Sequence, residues 1–133
     1  MIVVAIVAIL TAIALPSYRQ YVLKSHRTLA INGILDLASR EARYYTTNNT
    51  YSASLTDLGY TADPMPLAGD GGGTAYYNLS VIAPGAGSPI NAQFALQAVP
   101  VGSQLLDTCG TYTYTYLGVK GISAGTLGDC WKQ

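Results

Sequence analysis

Charged residues are scarce in this sequence. Asp, Glu, Lys and Arg make up only 11% of its 133 residues, against about 25% in average globular chains. Since half of the residues are hydrophobic, an intrinsically disordered chain, which combines low hydrophobicity with high net charge, is excluded. Seven basic residues balance seven acidic ones, so the composition lacks the basic excess of a histone-like nucleic-acid binder. The length has room for one domain.

The residue types that carry catalysis and metal binding are also scarce. The single histidine, His26, stands near Lys24 and Arg27, and we expect all three on a solvated helix face. A catalytic triad needs a nucleophile, a base and an orienting group, and no such set is visible. The glycine-rich run at 69–73 lacks the Lys-Ser/Thr of a phosphate-binding loop, so it predicts a flexible loop. We therefore predict no enzyme activity, no metal and no cofactor.

Two cysteines, Cys109 and Cys130, admit three interpretations: a disulfide, a metal site completed by other ligands, or a redox pair. Zinc takes about four ligands, and His26 lies far away in the sequence. Redox pairs are usually spaced Cys-x-x-Cys, which these two are not. An extracellular location would favour the disulfide.

Charge and hydrophobicity are divided unevenly along the chain. Met1–Leu15 is apolar except at Thr11 and carries no charge. The next segment, Tyr18–Tyr45, has five basic residues against two acidic ones, and the remainder has two against five. The neutral total is therefore a cancellation between a basic and an acidic segment.

The uncharged run Met1–Leu15 has three possible explanations. A signal peptide needs a basic stretch before it and a small-residue cleavage site after it, and Pro16-Ser17-Tyr18-Arg19 is a poor site. A core helix of a soluble domain is rarely so free of charge. A membrane span needs about 20 apolar residues, so this run is short unless the hydrophobic stretch starts before Met1 or lies in surroundings other than a bilayer.

The order of residues over Met1–Tyr21, with Leu15-Pro16-Ser17-Tyr18 at the end of the apolar run, closely resembles the N-terminal helix of type IV pilins. In that family the mature chain begins with a methylated Phe and carries a Glu two residues before the position of Met1. The resemblance implies that six mature residues and a leader precede this sequence. It also leaves the family's Glu, which pairs with a neighbour's terminal amine during assembly, without a counterpart here.

The C-terminal region adds to the resemblance. Cys109-Gly110-Thr111, Gly118-Val119-Lys120-Gly121 and Cys130-Trp131 are similar to the disulfide-bounded segment of neisserial-type pilins and related minor pilins. The resemblance implies a Cys109–Cys130 bridge, and we expect that bridge to fasten the segment between the two cysteines onto the strands.

The helical period continues beyond Pro16. Apolar residues recur at spacings of three and four, which predicts a helix to about residue 47 with an inward stripe of Ile31, Ile34, Leu35, Ala38, Ala42 and Tyr45. Pro16 cannot donate to the helix ladder, so we expect a kink or a melted turn there. Gly33 predicts close packing rather than a hinge, and a loop is expected from the helix to about residue 73.

Three later runs predict strands: Thr74–Ile82, Ile90–Val99 and Thr111–Leu117. Turns are expected at Pro84–Pro89 and Pro100–Ser103. The predicted fold is α+β, with a long N-terminal helix, hydrophobic in its first half and amphipathic in its second, packed on an antiparallel meander with a disulfide-closed C-terminal segment. Residues 1–17 form the hydrophobic assembly or transmembrane segment, and residues 18–133 form the head.

The resemblance implies a structural subunit of a type IV pilus that polymerises through its hydrophobic helix into an extracellular filament for motility, adhesion or DNA uptake. Its partners would be further copies, the inner membrane before assembly, and the pilus assembly machinery. The side chains expected in the filament core are Ile2, Val3, Ala5, Ile6, Ile9, Leu10 and Ile13. We expect the abundant tyrosines, including Tyr112 and Tyr114, in core and interface packing.

Two alternatives remain: a minor pilin that acts as a DNA receptor in transformation, and a secretion-system pseudopilin. Affinity for DNA depends on Lys and Arg contacts to phosphates. Beyond Tyr45 only Lys120 and Lys132 are basic, against five Asp, so the sequence disfavours DNA binding.

Overall fold

The computed structural model describes residues 1–69, 72–82 and 92–132. One helix, α1, runs from Ile2 to Asn48 without a break. The strands are β1 (Met65–Ala68), β2 (Ala75–Ile82), β3 (Ala95–Pro100), β4 (Tyr112–Thr115) and β5 (Lys120–Ile122). A 3₁₀ helix spans Gly102–Leu106 between β3 and β4, and a short helix, α2, spans Leu127–Cys130.

The described strands form one antiparallel sheet in the order β1-β2-β3-β4-β5. Each strand pairs with the next along the chain, with Leu79 opposite Ala98 and Ala98 opposite Tyr112 in the register. Because side chains alternate between the two faces of a strand, these three lie on one face, and all three are buried. The second half of α1 packs on that face. The predicted α+β fold is confirmed.

Two edge strands were missed by the sequence analysis. Met65–Ala68 lies within the predicted loop and contains Pro66, which is tolerated at sheet edges but weakens a strand pattern. Lys120–Ile122 is only three residues long and includes Gly121.

The strands predicted from the sequence were also longer than the observed ones, since β3 starts at Ala95 and β4 ends at Thr115. The predicted turn at residues 84–89 and positions 70 and 71 of the glycine-rich run lie outside the described residues.

The inward stripe of α1 differs in part from its prediction. Ile31, Ile34 and Ala38 lie on the sheet side as expected, but the prediction was wrong for Leu35, Ala42 and Tyr45, which are exposed. Ala30, Leu37 and Glu41 are buried instead. The true stripe runs through Ala30, Ile34, Leu37 and Glu41 at spacings of three and four. It was missed because a charged residue such as Glu41 is expected to face solvent.

The helix passes through Pro16 without losing helical conformation. The expected melted turn at Pro16 was therefore wrong, and the kink there stays a prediction.

The close packing expected at Gly33 is confirmed, because a Cβ at Gly33 would stand 2.7 Å from Leu67 Cδ1. Glycine therefore allows strand β1 to lie directly against the helix.

Glu41 is a fully buried carboxylate near the end of α1. Its Oε2 accepts the backbone N–H of Ser52 at 3.0 Å, while its Oε1 has no hydrogen-bond partner among the described residues. Burial raises the pKa of Glu41, and the Ser52 N–H only partly opposes this. Glu41 thus holds the start of the loop after α1 through Oε2, while Oε1 has no hydrogen-bond partner among the described residues.

Replacing Glu41 by Gln removes the buried charge and keeps an oxygen that can accept the Ser52 N–H. Because the folded-state pKa is raised, the stability contributed by this group is present at low pH and is lost as pH rises through that pKa. We expect Glu41→Gln to raise the free energy of unfolding at pH 7 by on the order of 1 kcal/mol, with little effect near pH 4.

Denaturant unfolding of the full chain in detergent micelles at both pH values measures this difference. Asp57→Asn is the control, since Asp57 is an exposed carboxylate on the same loop. A Glu41→Gln variant that is less stable than the wild type at pH 7, or equally stable at every pH, would contradict the assignment.

Candidate functional site

The apolar segment Met1–Leu15 makes no contribution to the core of the head. An 18-residue window of this helix has a mean hydropathy of 2.0, and none of it is buried. The side chains predicted for a filament core are all exposed in the isolated chain: Ile2, Val3, Ala5, Ile6, Ile9, Leu10 and Ile13. Since a helix that is apolar all round is normally buried in protein or membrane, this segment is the first candidate site.

The segment carries no unsatisfied polar side chain that would oppose its burial. Thr11 is its one polar residue, and its Oγ1 donates to Val7 O at 2.8 Å, with Ala8 O at 3.0 Å. Such local bonding lets a hydroxyl enter apolar surroundings at low cost. Small side chains, Ala5, Ala8, Ala12 and Ala14, leave room for another helix to approach closely. The segment is therefore suited to packing against helices or lipid.

A buried ion pair fixes the head to α1 just beyond this segment. Arg27 Nη2 lies 2.6 Å from Asp107 Oδ1, and its Nε donates to Asp107 Oδ2 at 3.0 Å. Both side chains are largely buried, and the Asp107 carboxylate raises the pKa of Arg27. The expectation that Arg27 lies on a solvated face was wrong, because its carboxylate partner lies 80 positions away and leaves no trace in local spacing.

Gln104 makes a second polar connection at the same level of the helix. Its Nε2 donates to Leu23 O at 2.9 Å and to Tyr77 Oη at 3.0 Å, and its Oε1 lies 3.3 Å from His26 Nδ1. The His26 ring stacks on Tyr76 with 3.7 Å between centroids. His26 is therefore half-buried and structural, which corrects its predicted solvated position. The 3₁₀ helix is held against α1 by these bonds.

The arrangement around His26 does not resemble a catalytic site. Its hydrogen-bond partner is an amide, and its ring neighbour is a phenol. Within the described ranges, no group of three or more His, Cys, Asp or Glu side chains is placed to hold a metal ion.

The second candidate site is the segment between Cys109 and Cys130. These cysteines form the disulfide that the resemblance implied, with their Cα atoms 5.8 Å apart. Tyr112 Oη donates to Cys130 O at 3.1 Å, and Trp131 Nε1 donates to Gly121 O at 3.1 Å. The rings of Tyr112 and Trp131 also meet edge to face, 5.6 Å apart. The tail is thus held by the bridge and by aromatic contacts together.

Gly125 explains how the chain passes so close to the bridge. Its φ is +75°, and a Cβ there would lie 2.9 Å from Thr108 O and 3.3 Å from Cys130 Sγ. A residue with a side chain would be strained by both the backbone conformation and the contacts. The turn against the disulfide therefore needs glycine at this position.

Lysines from α1 and from the C-terminal end of the described chain line one groove beside the disulfide-closed segment. A groove of about 530 Å³ is lined by Lys24 of α1, Arg27, Thr108, Asp129 and Lys132. Lys132 Nζ lies 3.0 Å from Asp129 Oδ1, and Lys24 is one of the charges that lower the pKa of Asp129. Lys120 Nζ lies 5.2 Å above the Trp131 ring.

One of the five acidic residues beyond Tyr45 does not contribute to the surface charge of the head, since Asp107 is buried against Arg27. A second, Asp129, pairs with Lys132. The exposed Lys24 and Lys120 belong to neither of these two pairs. The sequence could not reveal this, because the helix and the tail are brought together only by the fold.

Two of the eleven tyrosines belong to the buried core. Tyr77 and Tyr112 are fully buried, and burial raises the pKa of Tyr77 to about 12. Their rings meet edge to face at 5.9 Å. This confirms the expected core packing of these two side chains.

Comparison with known proteins places this geometry in a class. Residues 16–113 match the model of a family described as "Type IV minor pilin ComP, DNA uptake sequence receptor". The match covers more than half of the chain, so the chain belongs to this family of type IV pilins. No curated protein matches the sequence.

A solved structure shows the same fold. The high-resolution structure of a type IV pilin from Shewanella oneidensis superposes with a TM-score of 0.50 at 23% sequence identity, and the match covers 86% of this chain and 99% of that one. The long helix, the antiparallel sheet and the disulfide near the C-terminus are thus a type IV pilin fold.

Replacing both Cys109 and Cys130 by Ala should loosen the tail and leave α1 intact. Opening a closed loop of this length costs about 3 kcal/mol of stability in the chain-entropy model. We expect new protease cleavage at residues 123–128, where Gly125 depends on the bridge for its position, with unchanged helical content by circular dichroism.

Mass spectrometry of the unreduced, proteolysed wild type provides the reference, since it should yield Cys109 and Cys130 in one linked peptide pair. Two free thiols in the wild type, or a double variant as protease-resistant as the wild type, would refute this role for the bridge.

Proposed function

We propose that this chain is a subunit of a type IV pilus, anchored by Met1–Leu15 in the inner membrane before assembly and in the filament core afterwards. The observation that carries this proposal is the continuity of α1, whose second half forms the core of the head while its first half is apolar and uncovered. The assembled filament would stand at the cell surface, where a disulfide such as Cys109–Cys130 persists.

Side-by-side packing of such helices accounts for the composition of the segment. Full burial of one large apolar side chain contributes about 1.5–3 kcal/mol, and the segment exposes many of them. The contact residues we propose are those predicted from the sequence, Ile2, Val3, Ala5, Ile6, Ile9, Leu10 and Ile13. The partners are other pilin subunits and the assembly machinery that extracts the helix from the membrane.

Deletion of Met1–Leu15 should abolish entry into pili and leave the head folded, because no residue of this segment is buried in the head. The measurement is the amount of chain in sheared fibres compared with the cell fraction. The head's near-UV circular dichroism and its linked cysteines report folding. Leu117→Asp, a change at an exposed position outside the segment, is the matched control and should enter fibres normally. A deletion variant found in fibres at the full-chain level would defeat the proposal.

DNA capture by the head is a second candidate function. The family description supports it, and the groove lined by Lys24 and Lys132 offers cations that could contact phosphates. Lys120, which lies above the Trp131 ring, is a further cation in the segment between Cys109 and Cys130. Binding through these side chains would be dominated by phosphate contacts and therefore by salt concentration.

The Lys24→Gln/Lys132→Gln double variant tests this second function. If each lysine contacts one phosphate, the slope of log affinity against log salt should fall by about 1.8, since each contact contributes about 0.9. Fluorescence anisotropy with duplex DNA and full chain in detergent micelles measures this slope. Arg43→Gln is the control, because Arg43 lies about 28 Å further along α1. Absence of DNA binding by the wild type at low salt would remove DNA capture and leave the pilus role untouched.

A further inference from the structure

An apolar groove lies where α1 leaves the head. Tyr18, Val22 and Leu23 line one wall from the helix, and Ser103 and Leu106 line the other from the 3₁₀ helix. The groove measures about 280 Å³, slightly below the range of about 300–1,000 Å³ for small-molecule pockets. Its size suits side chains of another protein better than a free ligand.

The 3₁₀ helix buries a polar residue and exposes two apolar ones, the reverse of the usual arrangement in a soluble domain. Gln104 is 0% exposed, while Leu105 is 66% and Leu106 is 79% exposed. Gln104 is held inside by its bonds to Leu23 and Tyr77, so the leucines cannot turn inward without breaking them. A rigid element that buries its amide and exposes two leucines beside an apolar groove is typical of an interaction surface.

The groove is continuous with the exposed apolar surface of α1. Tyr18 and Val22 follow Leu15 on the same helix, and Tyr18 and Leu15 are exposed. The part of this chain that most needs apolar cover is its own segment Met1–Leu15. The segment is not covered by its own head, because it continues α1 beyond the head without a break and none of its residues is buried.

We propose that the groove, with Leu105 and Leu106, receives the segment Met1–Leu15 of a second copy of this chain. The proposal rests on the proposed pilus function and adds to it the surface of the head that contacts a neighbour's helix. Arg19 also lines the groove, and because Met1–Leu15 contains no lysine or arginine, it brings no like charge beside that side chain. A contact between two different surfaces of identical chains propagates as an open helical filament when the rotation between neighbours does not close a ring.

A photo-cross-linking amino acid at Leu106 tests the contact in the full chain. Equal amounts of ¹⁴N- and ¹⁵N-labelled protein are combined in membrane vesicles or fibres, irradiated and analysed by peptide mass spectrometry. We expect mixed-isotope cross-links from residue 106 to the peptide that contains residues 1–19. The same probe at Leu117, which is 70% exposed but distant in the fold from the 3₁₀ helix, should give none to that peptide.

Leu106→Asp provides a second measurement. Loss of one buried leucine corresponds to about a tenfold or larger loss in association, so the amount of this variant in sheared fibres should fall at least about tenfold relative to Leu117→Asp. An unchanged head by near-UV circular dichroism shows that folding is preserved, as expected for an exposed side chain.

The outcomes separate this inference from the pilus function. If wild-type chain enters fibres while the probe at Leu106 reacts only with its own chain, with lipid or with a second head, the groove assignment is wrong and the pilus function stands. If wild-type chain neither self-associates nor enters fibres, both are overturned. Mixed-isotope links to residues 1–19 together with loss of Leu106→Asp from fibres support both.

Discussion

The buried ion pair between Arg27 and Asp107 determines where the head sits on the long helix. Removing one partner of such a pair typically costs about 3–5 kcal/mol, because the other charge is left buried and alone. Together with Gln104 it joins one short stretch of α1 to the chain just before Cys109. The helix N-terminal to this joint, from Met1 to Tyr21, is exposed in the isolated chain. The joint thus divides one continuous helix into a half that packs in the head and a half that is exposed in the isolated chain.

The same joint organises the outer surface. By drawing Asp107 inward, it carries Thr108 and the disulfide segment to the side of α1, where Lys24 meets Lys132 and Asp129. Its other polar partner, Gln104, orients the 3₁₀ helix so that Leu105 and Leu106 face outward. The cationic groove and the apolar groove are therefore two consequences of one packing arrangement.

The sequence supports the prediction of elements whose signals are local. The uncharged run, the helical period after Pro16, the alternating strand that contains Tyr112 and Tyr114, and the two cysteines are all such signals. It does not support the prediction of β1 and β5, whose pairing depends on neighbouring strands. The sequence also does not predict the burial of Arg27 and Glu41, because a charged residue on a helix is expected to face solvent unless its distant partner is known. The binding surfaces depend on those same distant contacts, which is why they emerge only from the fold.

The central claim is that neighbouring subunits bury the first half of α1 in a filament. Reaction of single cysteine variants with a water-soluble maleimide tests it most directly. Ile9 and Leu117 are comparably exposed in the isolated chain, 61% and 70%, so Ile9→Cys and Leu117→Cys form a matched pair. In assembled fibres, Leu117→Cys should react rapidly and Ile9→Cys should not react until the fibres are dissociated in detergent. Equal reactivity of the two positions in intact fibres would contradict the account.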